Sequence, residues 1–312
     1  MTSALVSVII ATYRRDSDLT AALESLAKQT FKNFEIILVD DNACDEWNSK
    51  VTSIVNRFRN NYPGTNIHYI INSPNRGSAE TRNIGIKSSN GEYITFLDDD
   101  DVYLPNKIKN QIDFMIRGNY DYSITDLALY SENGKQVDMR NRNYIKDTSV
   151  GALLKYHLLH HLTGTDTMMF RKDYLLKIGG FAPIDIGDEF YLMLRAIENG
   201  GTFGYLRECD VKAYVHTNEG GLSSGIGKIT GENALYEYKK QYFNNLNSQE
   251  RRYVKMRHYA VLAIGNLRLK RYAQCALYCC RALLVSPCDC FNLLFNSQKT
   301  TKRIFKQNGV KK

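Results

Sequence analysis

Prolines are scarce, 5 in 312 residues, and the 21 glycines are dispersed, which excludes a collagen-like repeat or a low-complexity disordered chain. No uncharged apolar run approaches the ~18 residues that a membrane-spanning helix requires. The run Ala4–Ala11 is far shorter and has no basic residue before it, so it reads as a buried strand rather than a signal peptide. With 43% hydrophobic and 24% charged residues, the chain is expected to be folded, non-spanning and cytoplasmic. Its length suggests about two domains.

What the C-terminal part lacks is acid. Residues 229–312 hold 16 Lys+Arg against 4 Asp+Glu, a net of +12, whereas residues 1–228 hold 25 against 29, a net of −4. We therefore expect a mildly acidic body over 1–228 and a basic helical extension over 229–312. Such a tail suits an anionic partner, or is a solvated basic surface. Within it, Tyr253–Leu269 and Arg271–Leu284 are amphipathic runs separated by Lys270. One helix–turn–helix unit cannot form a solenoid, so it is expected to pack on the body, on a second chain as a homo-oligomer, or on a membrane surface. Basic residues near the C-terminus, from Lys299 to Lys312, suit anionic lipid head groups on the inner face of a membrane. Of the 7 cysteines, Cys275, Cys279, Cys280, Cys288 and Cys290 crowd together without regular C-x-x-C pairs or histidine, and read as small buried residues, reduced, in a helix pair.

The N-terminal half alternates strand and helix patterns. Val6–Ala11, Glu35–Val39, Ile67–Ile71 and Tyr93–Leu97 are short β-rich runs, while Leu19–Ala27 and Trp47–Tyr62 repeat apolar residues at helical spacing. Strand–helix–strand repetition predicts an α/β fold with a mostly parallel central sheet covered on both faces. In such sheets ligands bind beyond the carboxyl ends of the strands. There the sequence supplies Thr12-Tyr13-Arg14, Asp40-Asp41-Asn42 and Asp98-Asp99-Asp100-Asp101. A phosphate-cradling glycine loop is missing after the first strand, and Gly220–Gly227 lies too far downstream, as a mobile loop; this argues against an ATPase or a nicotinamide enzyme.

Adjacent aspartates repel one another unless a positive charge sits among them, and a hard divalent cation completed by substrate phosphates is the natural partner. Capping of the helix expected from Pro105 onward would use one of them. Asp40 suits a ribose hydroxyl or a base N–H, and Tyr13 can stack on a base.

Val6–Tyr13, Ile37–Asp41, Asn75-Arg76-Gly77 with Thr81–Gly85, and Phe96–Asp101 with Leu104-Pro105 resemble, in order and spacing, the motifs of family 2 glycosyltransferases over about residues 4–228. The resemblance implies a GT-A-like nucleotide-binding sandwich and an inverting, nucleotide-sugar-dependent reaction. It implies that Thr12, Tyr13 and Asp40 hold uracil and ribose, that Arg76 approaches the base, and that Arg82 braces the diphosphate. Asp98 and Asp100 match the D-x-D pair, Asp98 nearer the ribose and Asp100 on a Mn2+ or Mg2+ ion, with Asp98 also a metal candidate and Asp99 also against the donor nucleotide. The extra Asp99 leaves the choice of ligand open, and His216 is a further metal candidate.

Inverting transfer needs a carboxylate to take the acceptor proton. Asp188-Glu189, opening an otherwise apolar helix, falls where the family carries its acidic pair, with Glu189 on the base position and Asp188 as the alternative. Asp166 is expected against donor or acceptor hydroxyls. His157, His160 and His161 match no metal spacing. The implied partners are a UDP-linked sugar donor and a glycan or glycolipid acceptor in polysaccharide, capsule or glycolipid synthesis, without nucleic acid. A metal-dependent nucleotidyltransferase and a non-catalytic nucleotide-sugar-binding scaffold remain as alternatives.

Overall fold

The computed structural model describes residues 4–184, 187–215 and 225–293. The chain runs β1 (Val6–Thr12), α1 (Ser17–Ala27), β2 (Phe34–Asp40), α2 (Asp45–Asn61), β3 (Asn66–Ile71), α3 (Ser78–Ser88), β4 (Tyr93–Phe96) and β5 (Val102–Tyr103). Next come α4 (Lys107–Gly118), β6 (Tyr122–Thr125), β7 (Leu127–Ser131), β8 (Gln136–Arg140), α5 (Val150–His160), β9 (Met169–Arg171) and α6 (Lys172–Lys177). Then follow α7 (Asp188–Glu198), β10 (Phe203–Leu206), β11 (Val211–Val215), α8 (Gly225–Lys240), α9 (Ser248–Arg268) and α10 (Tyr272–Val285).

The main sheet has 7 strands in the order β10-β6-β9-β4-β1-β2-β3. The β1/β2, β1/β4, β2/β3 and β6/β10 pairs are parallel, and only β9 runs against its neighbours β4 and β6. The expected parallel sheet is thus present, with one reversed strand inserted in it. β2 is buried along its whole length because its alternate residues serve two cores. Ile36 and Leu38 face the layer of α1, α2 and α4 with Val6, Val8 and Ile10; Ile37 and Val39 face the layer of α3, α5 and α7 with Ile9. A smaller sheet, β5-β11-β7-β8, flanks the main one.

The helical end is tied to the body. Leu235, Leu246 and Val254 join the core that contains Phe190 and Leu158. Lys155 pairs with Glu250 at 3.0 Å, and Arg257 donates to the Leu159 carbonyl at 2.6 Å. Asn247 and Glu250 form a reciprocal capping box that fixes the start of α9. The expected division after residue 228 falls inside α8. Gly225–Gly227 open that helix instead of lying in a loop, because α8 packs on α9; Gly220–Ser224 lie outside the described residues. The cysteine reading is corrected more sharply. Cys279, Cys280 and Cys288 are exposed and only Cys290 is buried, because α10 packs on α9 through a narrow face.

Candidate functional site

Parallel neighbours deliver their carboxyl ends to one edge. β1 lies between β4 and β2, so residues 12–15, 40–42 and 98–101 meet there. The Tyr13 N–H donates to Asp99 Oδ2 at 3.1 Å, and Arg15 reaches Asp100 Oδ2 at 2.6 Å and Asp99 Oδ1 at 3.7 Å. Tyr13 is 48% exposed, its ring covered on one side by Arg14. Thr12 is buried, and its carbonyl accepts the Asp41 N–H.

Asp40 is fully buried. Its Oδ1 accepts from the Asn42 backbone and side chain, and its Oδ2 from the Tyr69 hydroxyl at 2.7 Å. Oδ2, which accepts from Tyr69, keeps a lone pair for a further donor. Asp41 instead organises the loop before α3, accepting the N–H groups of Arg76 at 2.8 Å and Gly77 at 2.9 Å. The Arg76 side chain is exposed beside this edge.

Across from the aspartates, α7 begins at Asp188. Gly187 sits at φ 80, a left-handed conformation that glycine adopts without a Cβ penalty, and this turns the acidic pair into the site. Arg82 of α3 binds both halves, donating to Asp98 Oδ1 and to Asp188 Oδ2, each at 2.8 Å. Asp188 also accepts the Glu189 N–H at 2.9 Å. The loop ahead of α7 is fixed to the same helix, because Asn83 exchanges two hydrogen bonds with the Phe181 backbone. Gly180 passes so close to Asn83 that a Cβ there would meet its Oδ1.

Asp166 is buried rather than open to hydroxyls of a substrate. Its Oδ1 accepts the Asp98 N–H at 2.6 Å, and it lies beside Asp101, whose Oδ1 accepts the Tyr214 N–H at 2.8 Å. Oxygens of Asp98, Asp101 and Asp166 come within 4.8 Å of one another. His216 lies outside the described residues.

Carboxylates outnumber the guanidiniums of Arg15 and Arg82 here, and the protonation states respond. Burial and the Asp100 charge push Asp99 up to about 7. Burial and the Asp98 charge push Asp166 up to about 7, and Asp101, buried against Asp166, rises well above the usual range. Burial and the neighbouring Asp188 raise Glu189 to about 8, against the pull of Arg82. A cluster that holds protons for want of positive charge, built only from hard oxygen donors, fits a divalent cation. Asp98, Asp99 and Asp100 are partly exposed, whereas Asp101 and Asp166 are buried and hydrogen-bonded to each other.

Sequence reasoning named Asn42 and Asp101 only within the strand-end clusters, and gave no role to Arg15 or Tyr69. For Arg15 the signal was available in the strand order, since adjacent parallel strands end side by side. His157 is buried and His161 half-buried, each by packing contacts. His157 accepts the Leu162 N–H and stacks on Phe190, and His161 meets Lys239 of α8. A hollow of about 390 Å³ lined by Arg59, Pro63 and Asn66 lies at the opposite edge of the sheet, away from the reactive side chains.

The sequence profile of glycosyl transferase family 2 matches residues 7–176. The chain is 41% identical over 156 residues to an Escherichia coli protein named UDP-Glc:alpha-D-GlcNAc-diphosphoundecaprenol beta-1,3-glucosyltransferase WfaP, covering 49% of this chain and 56% of WfaP. It is 40% identical over 133 residues to an uncharacterized glycosyltransferase of Rickettsia felis, covering 43% of this chain. It spans only 21% of that relative, so it covers well under two thirds of the length of either. Among solved structures, S. aureus TarS 1–349 in complex with UDP-GlcNAc aligns with a TM-score of 0.62 at 19% identity, covering 90% of this chain and 81% of TarS 1–349. The mannosyltransferase PcManGT of Pyrobaculum calidifontis, in complex with GDP-Man and Mn2+, aligns with a TM-score of 0.59 at 16% identity, covering 97% of this chain and 86% of its own. The α/β architecture is that of these GT-A structures.

Proposed function

Because the chain belongs to glycosyl transferase family 2, we propose that it moves a sugar from a UDP-linked donor to an acceptor hydroxyl, with inversion at the anomeric carbon. The observation that carries this reading is the Arg82 bridge, which joins the acidic end of β4 and the acidic start of α7 through one guanidinium. A single displacement needs leaving-group machinery on one side and a base on the other.

In the proposed reaction, Tyr13 stacks on the uracil, with Thr12 and Asp40 as base and ribose contacts and Arg76 alongside. The acceptor hydroxyl gives its proton to Glu189 as its oxygen bonds to the anomeric carbon. The bond from that carbon to the diphosphate breaks, and UDP departs with the electron pair. The bonds of Asp188 to Arg82 and to the helix start favour Glu189 as the base, with Asp188 as the alternative. Burial and Asp188 hold Glu189 up at about 8, so it is a strong base once ionised, and the transfer rate should rise toward alkaline pH. Asp98 and Asp100 are the proposed holders of Mn2+ or Mg2+, with His216 as a further ligand. Such an ion would neutralise the charge that develops on the departing diphosphate. Arg82 supports the same side by keeping Asp98 in place.

The names of WfaP and TarS 1–349 with UDP-GlcNAc support a UDP-linked donor, and the diphosphoundecaprenol of WfaP supports a glycolipid acceptor in polysaccharide synthesis. No helix among the described residues is long and apolar enough to cross a membrane.

The test is to incubate the chain with UDP-glucose and UDP-N-acetylglucosamine plus Mn2+, measuring UDP and pyrophosphate in parallel. UDP release supports the transferase. Pyrophosphate release would mean a nucleotidyltransferase, and donor binding without either product would mean a scaffold.

A further inference from the structure

The helix α10 presents an apolar face that nothing in the described residues covers. At 100° per residue, an arc of about 160° runs from Cys279 through Tyr272 and Leu283 to Leu284 and Leu277 without one charged side chain. Leu284 is 85% exposed, Tyr272 66% and Leu277 48%. The opposite, narrow side of α10 supplies its packing, with Ala282 buried against Met256 of α9. A water-soluble helix normally places polar residues on the exposed side, and α10 has only Gln274 and Arg281 there.

Charge selects the occupant. α10 contains no acidic residue, and Arg281 flanks the arc, with Arg268, Lys270 and Arg271 at the preceding turn. The acidic residues in the C-terminal part are engaged elsewhere. Glu232 meets His258, Glu237 meets Lys240, Glu250 meets Lys155, and Asp289 accepts from Ser286. A second copy meeting α10 through the same face would bring these cations against their own kind, which opposes a symmetric dimer there. The face is also small. A 14-residue helix is about 21 Å long and its side-chain envelope about 10 Å wide, short of the roughly 800 Å² per partner of a standard interface.

We propose that α10 docks flat on an anionic lipid surface, burying Leu277, Leu283 and Leu284 in the interfacial region while the flanking arginines and Lys270 meet lipid phosphates. Apolar insertion and basic attraction are the two signals that together give stable, reversible anchoring. This surface is independent of the donor site, so either proposal can fail without the other.

The experiment is co-sedimentation of the full chain with phosphatidylcholine vesicles and with vesicles containing roughly 30% phosphatidylglycerol, at low and high salt. The same series is run on Leu277→Glu/Leu284→Glu, whose exposed positions leave the packing of α10 on α9 untouched; its melting temperature confirms the fold. The wild type should bind the anionic vesicles about tenfold or more tightly than either the neutral vesicles or the double variant does, with part of the binding surviving salt. No binding to anionic vesicles, or equal binding by the double variant, would overturn the proposal. A concentration-dependent dimer that the double variant loses, with no vesicle binding, would also overturn it and assign the face to a second copy.

Discussion

Replacing Arg82 by Met removes the guanidinium that ties β4 to α7 while keeping most of its stem. Arg82 is 12% exposed, and it bonds Asp188, 7% exposed, and Asp98, 34% exposed, each at 2.8 Å. Breaking a buried pair by removing one partner costs about 3–5 kcal/mol, because the other charge stays behind. The Asp188 arm carries most of that. The Asp98 arm is a third in solvent and contributes little. The positive end of α7 still favours the Asp188 charge, so the net cost is about 3 kcal/mol. In a chain of 312 residues that is a fall in Tm on the order of 5 °C at neutral pH. A second effect follows from Glu189. Its value of about 8 already includes the opposing pull of Arg82, so without Arg82 it rises further and less base is ionised at neutral pH. The transfer rate of Arg82→Met should therefore have its pH profile displaced to the alkaline side, while Arg82→Lys restores the charge and returns most of that displacement. Thermal unfolding gives the first quantity and UDP release against pH the second. A variant with unchanged Tm and an unchanged pH profile would refute the bridging role.

Glu189→Gln should leave donor affinity nearly unchanged and reduce transfer by roughly 10²-fold or more, measured by UDP release beside donor calorimetry; near-normal transfer, with Asp188→Asn inactive, would move the base to Asp188. Asp100→Asn should weaken Mn2+-dependent UDP binding by roughly tenfold or more while the Tm stays close to that of the wild type. The donor-free protein should lose stability as pH rises. Glu189 at about 8 and Asp99 and Asp166 at about 7 lie above their unfolded values near 4, so their stabilising contribution is complete below about pH 4 and is lost through pH 7–8. Melting temperatures across that range, with and without Mn2+, would check this; a metal-free Tm that climbs steadily from pH 5 to 8 would contradict it.

The strands were legible because β1 and β2 are apolar runs ending in polar clusters, and a buried parallel strand leaves little else to read. Val6–Ala11 extends in the structure only to Thr12, and Glu35–Val39 gains Phe34 and Asp40. Once those strands are placed, so is the edge on which Tyr13, Asp40 and Asp98–Asp101 stand. What could not be read depends on contacts between distant segments. Asp166 lies far along the chain from Asp98, and its burial beneath the strand end follows from β9 entering the sheet between β4 and β6. That reversed three-residue strand carries too short a pattern to announce its direction. Asp40 reads as an open carboxylate from its place after β2, yet Asn42 and Tyr69 cover it, and only the β2/β3 register brings Tyr69 there. For α10 the crowded cysteines suggested small buried residues of a helix pair, whereas Cys279 and Cys280 stand exposed, and which face of an almost wholly apolar helix meets its neighbour cannot be read from composition.

The most direct measurement is calorimetric titration of the full chain with UDP-glucose, UDP-N-acetylglucosamine and UDP, in Mn2+ and again in excess chelator. The account predicts that at least one UDP-sugar binds with one site per chain, that UDP competes with it, and that affinity falls roughly tenfold or more without the ion, as expected when acidic side chains share a cation with a diphosphate. Saturable heat that is unchanged by chelator would contradict the metal assignment. The absence of binding by UDP and both UDP-sugars in Mn2+ would contradict the proposed donor.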